Sequence, residues 1–266
     1  MSLPCPSRTT ALLGALLAGA LIAPVATTAQ AQAPVASGAA RAETPYLSQE
    51  DAAARSARVS NVAYTLDYTL TGEPTFTSTS VIAFDLKDTQ APLTVDLDKA
   101  TISALTVNGK KIAPVYNQWF ITLPASALRV GRNTVSVGFT REHSTNGEGL
   151  HRYVDKTDNR VYLYSHFEPA AAHQMFASFD QPDLKATYTL TATAPKDWYV
   201  ISTLPETAIK DLGTTRRWSF PATPKLSTYN FSMHAGPYKM WEDKSGKYPM
   251  RLFARQSLQA NVSPQD

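Results

Sequence analysis

The stretch RVSNVAYTLDYTLTG, residues 58–72, decides the fold, because its residue types alternate with a period of two. Such alternation is typical of a β-strand with one buried face. The stretch FTSTSVIAFDLK, residues 76–87, repeats the pattern. Asn108 and Gly109 lie between two apolar runs, and this pair favours a two-residue hairpin turn because both residues tolerate positive φ. The sequence therefore predicts consecutive, hairpin-connected strands.

Strands of the same kind are predicted as far as residue 257, separated by turn residues at short intervals. They are interrupted by FEPAAAHQMFASFDQPDLKATYTL, residues 167–190, whose small and aromatic residues indicate a short helical stretch. Many short strands at regular spacing are typical of β-sandwiches. The predicted fold class is all-β, a saddle-like β-sandwich of mixed sheets with one short helical segment.

The N-terminus differs from the rest of the chain. An apolar run with Arg8 as its only charge is followed by small residues, which is the layout of a secretory signal peptide over residues 1–31. The run is shorter than the ~20 residues that a membrane-spanning helix needs. Residues 32–57, rich in Ala and Ser, are predicted as a flexible spacer that ends in a weak helical turn. We therefore expect an exported protein, periplasmic or secreted, without stable membrane insertion.

Composition excludes several functional classes. The formal net charge is +3 and no stripe of Lys and Arg is present, so we expect no nucleic-acid partner. The five histidines include no H-E-x-x-H pair, and phosphate loops and cysteine nucleophiles are missing from the mature sequence. His143, His151 and Glu148 share a loop and are interpreted as solvated residues, with an adventitious metal site as the alternative. No catalytic residue and no metal ligand is predicted.

Glu168 is the candidate binding residue. It follows a strand predicted to be buried on one face and precedes Pro169, which favours extended backbone before it. A carboxylate at such a position is costly unless a cation or several N–H groups meet it. One interpretation is that Lys185, Arg152 or a helix N-terminus neutralises the charge. The other is that Glu168 binds a ligand.

Three segments carry a resemblance to a known family: GLHRYVD (149–155), VYLYSHFEPAAAHQMFASFDQPDLKATYTLTATAPKDWYVIS (161–202) and STYNFSMHAGPY (227–238). In this order they closely resemble the N-terminal domain of aminopeptidase N, in the zinc metallo-aminopeptidase family that also includes leukotriene A4 hydrolase. The resemblance covers the β-domain, residues 58–258, and implies that residues 259–266 begin a catalytic domain that is missing here. It also implies that the domain packs on that catalytic domain and closes one side of its active site.

The resemblance assigns substrate binding to Glu168. In the family, the positions of residues 166–168 read Gln-x-Glu, and the glutamate helps to bind the free α-amino group of the peptide substrate. His166 stands where the glutamine usually stands, so its contribution is expected to be weaker. The second amine-binding motif of the family, G-A-M-E-N, and its H-E-x-x-H zinc site belong to the following domain and do not occur here. Zinc is therefore expected in the parent enzyme, and this chain alone is expected to be inactive.

The resemblance also predicts how the helical stretch is held. Phe176, Phe179 and Leu184 are expected to anchor it in the core, and Asp180-Gln181-Pro182-Asp183 to return the chain to a strand. Phe167 is expected at the rim of an apolar patch that the missing domain would cover. The alternative to an aminopeptidase domain is a stand-alone β-saddle that binds or scaffolds without chemistry.

Overall fold

The protein, seen in a computed structural model that describes residues 40–263, is built mainly of β-strands. Helix α1 spans Gln49–Ser56, and short 3-10 helices span Ala125–Ala127, Ala172–Gln174, Thr228–Asn230 and Gln256–Asn261. The strands are β1 Val59–Thr69, β2 Thr75–Leu86, β3 Leu93–Asp96, β4 Thr101–Val107, β5 Lys110–Lys111, β6 Val115–Tyr116, β7 Phe120–Leu123, β8 Gly131–Glu142, β9 Gly149–Val154, β10 Val161–His166, β11 Ala186–Pro195, β12 Tyr199–Ser202, β13 Ala208–Asp211, β14 Thr215–Phe220, β15 Met233–Gly236, β16 Lys239–Asp243 and β17 Met250–Ala254. The predicted signal peptide lies outside the described residues.

The strands form several sheets. The largest has eight strands in the order β13-β14-β11-β1-β2-β8-β4-β5, a second has the order β12-β15-β10-β9, and smaller sheets are β3-β7-β6 and β16-β17. In the eight-stranded sheet β1 and β11 are parallel, whereas the other neighbours are antiparallel. The predicted fold class, an all-β sandwich of mixed sheets, is confirmed.

The opening stretch forms β1 as predicted, with one irregularity. A β-bulge lies between Ser60 and Ala63 in the pairing with β2, and Asn61 within it has φ 50°. A bulge adds a residue to one strand and so shifts the alternation. Val62 and Tyr64 then begin the row of residues that face the core.

The hairpin signal at Asn108 and Gly109 is confirmed. Both residues have positive φ, 53° and 80°, and they connect β4 to β5. The Asn108 side chain also donates a hydrogen bond to Asn133 Oδ1 at 2.9 Å, which ties the turn to β8.

Aromatic rings fill the core beneath the eight-stranded sheet. Tyr188 lies between two stacked partners, Tyr64 at 5.1 Å and Phe231 at 4.9 Å between ring centroids. Phe176 meets Tyr64 edge-on, and Phe179 meets Phe84 in the same way. The predicted anchors Phe176, Phe179 and Leu184 are all buried, so the segment after Glu168 is fixed to the core.

The described part of the predicted spacer, residues 40–57, differs from a flexible linker. Ser48 caps α1 by accepting a hydrogen bond from the backbone of Asp51, and such caps stabilise helices. Arg55, near the C-terminus of α1, is buried, and Arg41 lies over the ring of Phe120 at 4.3 Å. The segment packs on the β-domain because buried acceptors receive its arginines.

Candidate functional site

Glu168 lies just beyond the end of β10. His166, the last residue of β10, pairs with Gly149, the first residue of β9. Both His166 and Glu168 are exposed, whereas Phe167 between them is 2% exposed and packs edge-on against Phe176 at 5.9 Å. The prediction that Phe167 lies at the rim of an apolar patch was wrong, because its ring belongs to the core.

Residues 167–171, here called the Glu168 turn, form a compact structure. The backbone N–H of Ala171 donates to the carbonyl of Phe167 at 2.8 Å and closes the turn. Phe167 and Ala171 are buried at its two ends, while Glu168, Pro169 and Ala170 are exposed at its tip. The Glu168–Pro169 peptide bond is cis. The carboxylate is therefore presented to solvent from a turn with buried ends.

The Glu168 carboxylate has no hydrogen-bond or ion-pair partner within residues 40–263. The cations considered for it from the sequence bind elsewhere: Arg152 Nε donates to the carbonyl of Gly72 at 2.9 Å, and Lys185 Nζ donates to Ser227 Oγ at 3.3 Å. The interpretation in which these cations neutralise Glu168 was wrong. Its exposed side chain is available to a cationic ligand.

A buried charge network contacts the chain that follows the Glu168 turn and includes Asp96. Asp96 on β3 pairs with Arg41 Nη1 and with Arg55 Nη1, the latter at 2.8 Å, and it accepts the backbone N–H of Asp180 at 2.9 Å. Burial raises the pKa of Asp96, but Arg55 and Arg41 outweigh this effect and lower the pKa to about 2. The network, made of Arg41, Arg55, Asp96, His173 and Asp180, joins the N-terminal segment to the chain that follows the Glu168 turn.

Asp180 carries the other half of this network. Its Oδ2 meets His173 Nδ1 at 2.6 Å and accepts the backbone N–H of His173 at 3.1 Å. Its Oδ1 accepts from Thr228 Oγ1 at 2.7 Å. Asp180 was predicted only as part of a turn, and its partner Thr228 lies far from it in sequence.

Gln181 links the same turn to α1. Its Nε2 donates to the carbonyl of Ala52 at 3.1 Å and to Ser56 Oγ at 2.7 Å, and its Oε1 accepts from Arg55 Nε. The side chain thus satisfies groups near the C-terminus of the helix. Sequence reasoning missed these contacts, although the Ser48-x-x-Asp51 cap was a signal for α1.

The loop of His143, His151 and Glu148 does not form a metal site. Both histidines are buried, so their interpretation as solvated residues was wrong. Burial lowers the pKa of His143 to about 4, His151 Nδ1 accepts from the backbone of Gly147 at 2.9 Å, and Glu148 accepts from Gln174 Nε2 at 3.1 Å. His151 and Glu148 are engaged in different contacts, the ring nitrogens of His143 have no hydrogen-bond partner in residues 40–263, and the three side chains do not converge.

Zinc has no matching set of ligands in the described part of the chain. No group of three or more His, Cys, Asp or Glu side chains in residues 40–263 is arranged to hold a metal ion. In the same range, no helix combines the length and apolar character that crossing a bilayer requires.

Known proteins resemble this chain over most of its β-domain. Residues 58–230 match the model of the Peptidase M1 N-terminal domain. The chain is 36% identical over 221 residues to aminopeptidase N of Streptomyces lividans, which covers 80% of this chain and 25% of that protein.

Two further relatives extend the comparison. The chain is 36% identical over 103 residues to aminopeptidase N of Acetobacter pasteurianus, covering 38% of this chain and 29% of the relative. It is 30% identical over 150 residues to a membrane alanyl aminopeptidase of Manduca sexta, and this match covers 51% of this chain and 15% of the relative. The chain thus spans less than a third of the length of each of these relatives. Because the family model matches well over half of its residues, the chain belongs to the peptidase M1 N-terminal domain family.

Proposed function

We propose that this chain is the substrate-positioning N-terminal domain of an exported, zinc-dependent aminopeptidase that removes N-terminal amino acids from peptides. Membership of the family and the names of the three relatives, all aminopeptidases, support the activity class. The observation that carries the proposal is the exposed Glu168 carboxylate without a protein partner in the described residues.

Glu168 binds the free α-ammonium group of the substrate in this proposal. An unpaired carboxylate on a turn with buried ends needs little reorganisation to meet a cation, and preorganised charge is the most effective kind in a water-poor cleft. His166, exposed on the last residue of β10, contributes a weaker polar contact beside it. Together they favour substrates with a free amino terminus over blocked ones.

The metal and the reacting groups belong to a catalytic domain of the same polypeptide. The described residues offer no zinc ligand set, so the role of this chain is to hold the substrate's amino end and to close the cleft. Zinc bound in that domain would supply an activated water for peptide hydrolysis.

Exposed apolar residues support packing against such a domain. In the β16-β17 hairpin, Leu252 and Met250 are 50% and 59% exposed, and Leu252 pairs with Trp241 across the strands. Val154 at the end of β9 and Leu258 near the C-terminal end of the described chain are exposed as well. Met250 and Leu252, two positions apart in β17, share one face of the strand, and neighbouring exposed apolar side chains are typical of contact surfaces.

The test is Glu168→Gln in the full-length enzyme that joins this chain to its catalytic domain. Losing one partner of a buried charge pair costs about 2–5 kcal/mol, and a second carboxylate from the catalytic domain favours the lower half of that range. We expect kcat/KM to fall by roughly 30-fold to a few hundred-fold. Glu73→Gln is the matched control, because Glu73 is exposed and remote in sequence from the turn.

The melting temperature is measured on the same preparations. An unchanged melting temperature with a large kinetic loss supports amine binding. A lower melting temperature with wild-type kcat/KM in the folded fraction would contradict it and favour a structural role for Glu168.

A further inference from the structure

We infer that the His173–Asp180 ion pair is a positioning device that holds the Glu168 turn in place for the substrate's amino group. The inference rests on the proposed function and adds positioning residues to it. His173 lies in the 3-10 helix Ala172–Gln174, which directly follows the Glu168 turn.

Both oxygens of the Asp180 carboxylate accept hydrogen bonds. One oxygen of Asp180 receives both the ring Nδ1 of His173 at 2.6 Å and its backbone N–H at 3.1 Å, while the other oxygen receives Thr228 Oγ1 at 2.7 Å. The Asp180 side chain is 2% exposed. A buried carboxylate with three donors has a fixed position, and charge-assisted hydrogen bonds are stronger than neutral ones.

His173 is fixed from a second direction as well. Its carbonyl accepts the backbone N–H of Asp98 at 2.9 Å, so the residue is bound to the loop after β3 as well as to Asp180. The 3-10 helix continues the turn through backbone bonds, from Gln174 N–H to the Ala171 carbonyl at 3.1 Å and from Ala171 N–H to the Phe167 carbonyl at 2.8 Å.

Glu168 depends on this attachment. Its side chain has no hydrogen bond of its own in the described residues, and the exposed tip is connected to the core only through Phe167 on one side and the Ala171–His173 segment on the other. Loosening His173 therefore lets the carboxylate move. A displacement of ~1 Å at a binding group can cost up to about 100-fold in rate.

The charges around His173 favour the protonated form of its ring. Burial of the ring lowers its pKa, but the hydrogen bond and charge of Asp180, helped by Asp96 and Asp98, outweigh burial and raise the pKa above its ordinary value. The arginines beside these acids pair with them instead of with the ring: Arg41 and Arg55 with Asp96, and Arg141 with Asp98.

The sign of the pH effect follows from the direction of this shift. A group with a raised pKa in the folded state stabilises that state fully below its unfolded pKa, and the contribution disappears as the pH rises through the folded pKa. We therefore expect the Glu168 turn to be held firmly at pH 6 and to loosen under alkaline conditions, when His173 becomes neutral.

The first arm of the test uses the present chain. Hydrogen exchange of the Ala171, Gln174 and Met175 amides, corrected for intrinsic rates, is measured at pH 6 and pH 9. In wild type, the protection of these amides should fall at least about tenfold from pH 6 to pH 9. In His173→Arg the protection should be kept at pH 9, and in His173→Gln it should be low at both pH 6 and pH 9. His234→Gln is the control, because His234 is a half-buried histidine that forms no ion pair with any residue in 40–263.

The second arm uses the full-length enzyme and one substrate, so that titration of the substrate amine cancels between variants. Wild type should show KM rising about tenfold at alkaline pH relative to His173→Arg, with kcat nearly unchanged. His173→Gln should show the raised KM at every pH.

The outcomes separate the two proposals. Coincident pH profiles of wild type and His173→Arg, or equal amide protection in wild type and His173→Gln at pH 6, would overturn the positioning role even if Glu168→Gln impairs the enzyme. Conversely, a harmless Glu168→Gln with the predicted exchange pattern would contradict amine binding and leave the ion pair as the anchor of the turn.

Discussion

Glu168 and Asp180 are carboxylates in the same segment of the chain, yet their surroundings differ in every respect. Asp180 is buried and receives hydrogen bonds from His173 and Thr228. Glu168 is exposed and has no partner in the described residues. An acid that serves the fold is surrounded by donors, because an unpaired buried charge is too costly. An acid without donors, presented by a turn with buried ends, is available for a ligand.

The largest expected effect comes from breaking the buried side of this comparison. Asp96→Ala leaves the guanidinium groups of Arg41 and Arg55 buried without their partner. Removing one member of a buried pair costs about 3–5 kcal/mol, and we expect a loss of that size in the free energy of unfolding measured with urea. Asp85→Ala, which breaks an exposed pair with Arg132, should cost at most about 1 kcal/mol. Equal losses in the two variants would contradict the distinction.

Lowering the pH should weaken the same network without a mutation, because it protonates Asp96. The pKa of Asp96 is lowered to about 2 in the folded chain, so its stabilising effect is present above the unfolded pKa and disappears as the pH falls from about 4 to 2. The expected loss in the free energy of unfolding over this pH interval is about 2 kcal/mol, from ~1.4 kcal/mol per pKa unit. Urea unfolding at several pH values checks it, and a stability that stays flat over this interval would show that Asp96 is not held by the arginines.

A loss of stability is also expected from a substitution where β9 meets the 3-10 helix after the Glu168 turn. Gly149 has φ +64°, and a Cβ there would lie 2.7 Å from Cβ of Gln174. Gly149→Ala should therefore cost about 2–3 kcal/mol of stability, from backbone strain plus the clash. Gly147→Ala is the matched control, because Gly147 also has positive φ but a Cβ would meet no atom within 4 Å. Thermal unfolding measures the stability of both variants. Equal losses of stability would show that the clash with Gln174 is relieved.

The smallest expected effect on stability is that of Glu168→Gln. A surface side chain without partners contributes little to folding, so the free energy of unfolding should stay within about 0.5 kcal/mol of wild type. Urea unfolding of the present chain measures this directly. A loss above about 1 kcal/mol would mean that Glu168 has a role in the fold.

Local patterns were enough to predict the strands, through their period-two alternation. The burial of Phe176, Phe179 and Leu184 was predicted correctly from the family resemblance. The hairpin turn at Asn108 followed from residue types that tolerate positive φ.

The charge network was not predictable in the same way. Asp96 meets Arg55 and Asp180 through contacts between residues far apart in sequence, and no spacing within the chain indicates such a meeting. The N-terminal segment was misread for this reason, since its Ala- and Ser-rich composition conceals two buried arginines. The prediction for Phe167 was wrong because the expected contact with a missing domain does not indicate the direction in which the ring points.

The most direct test of the central claim compares two inhibitors of the full-length enzyme that differ only in the α-amino group: an amino-acid amide and its des-amino analogue. If Glu168 meets the ammonium, the affinity gap between the two inhibitors should shrink in Glu168→Gln by about tenfold or more, from ~1.4 kcal/mol per decade, while the des-amino analogue binds both enzymes equally. An affinity gap that is the same in wild type and Glu168→Gln would contradict the assignment of Glu168 to the substrate's amino group.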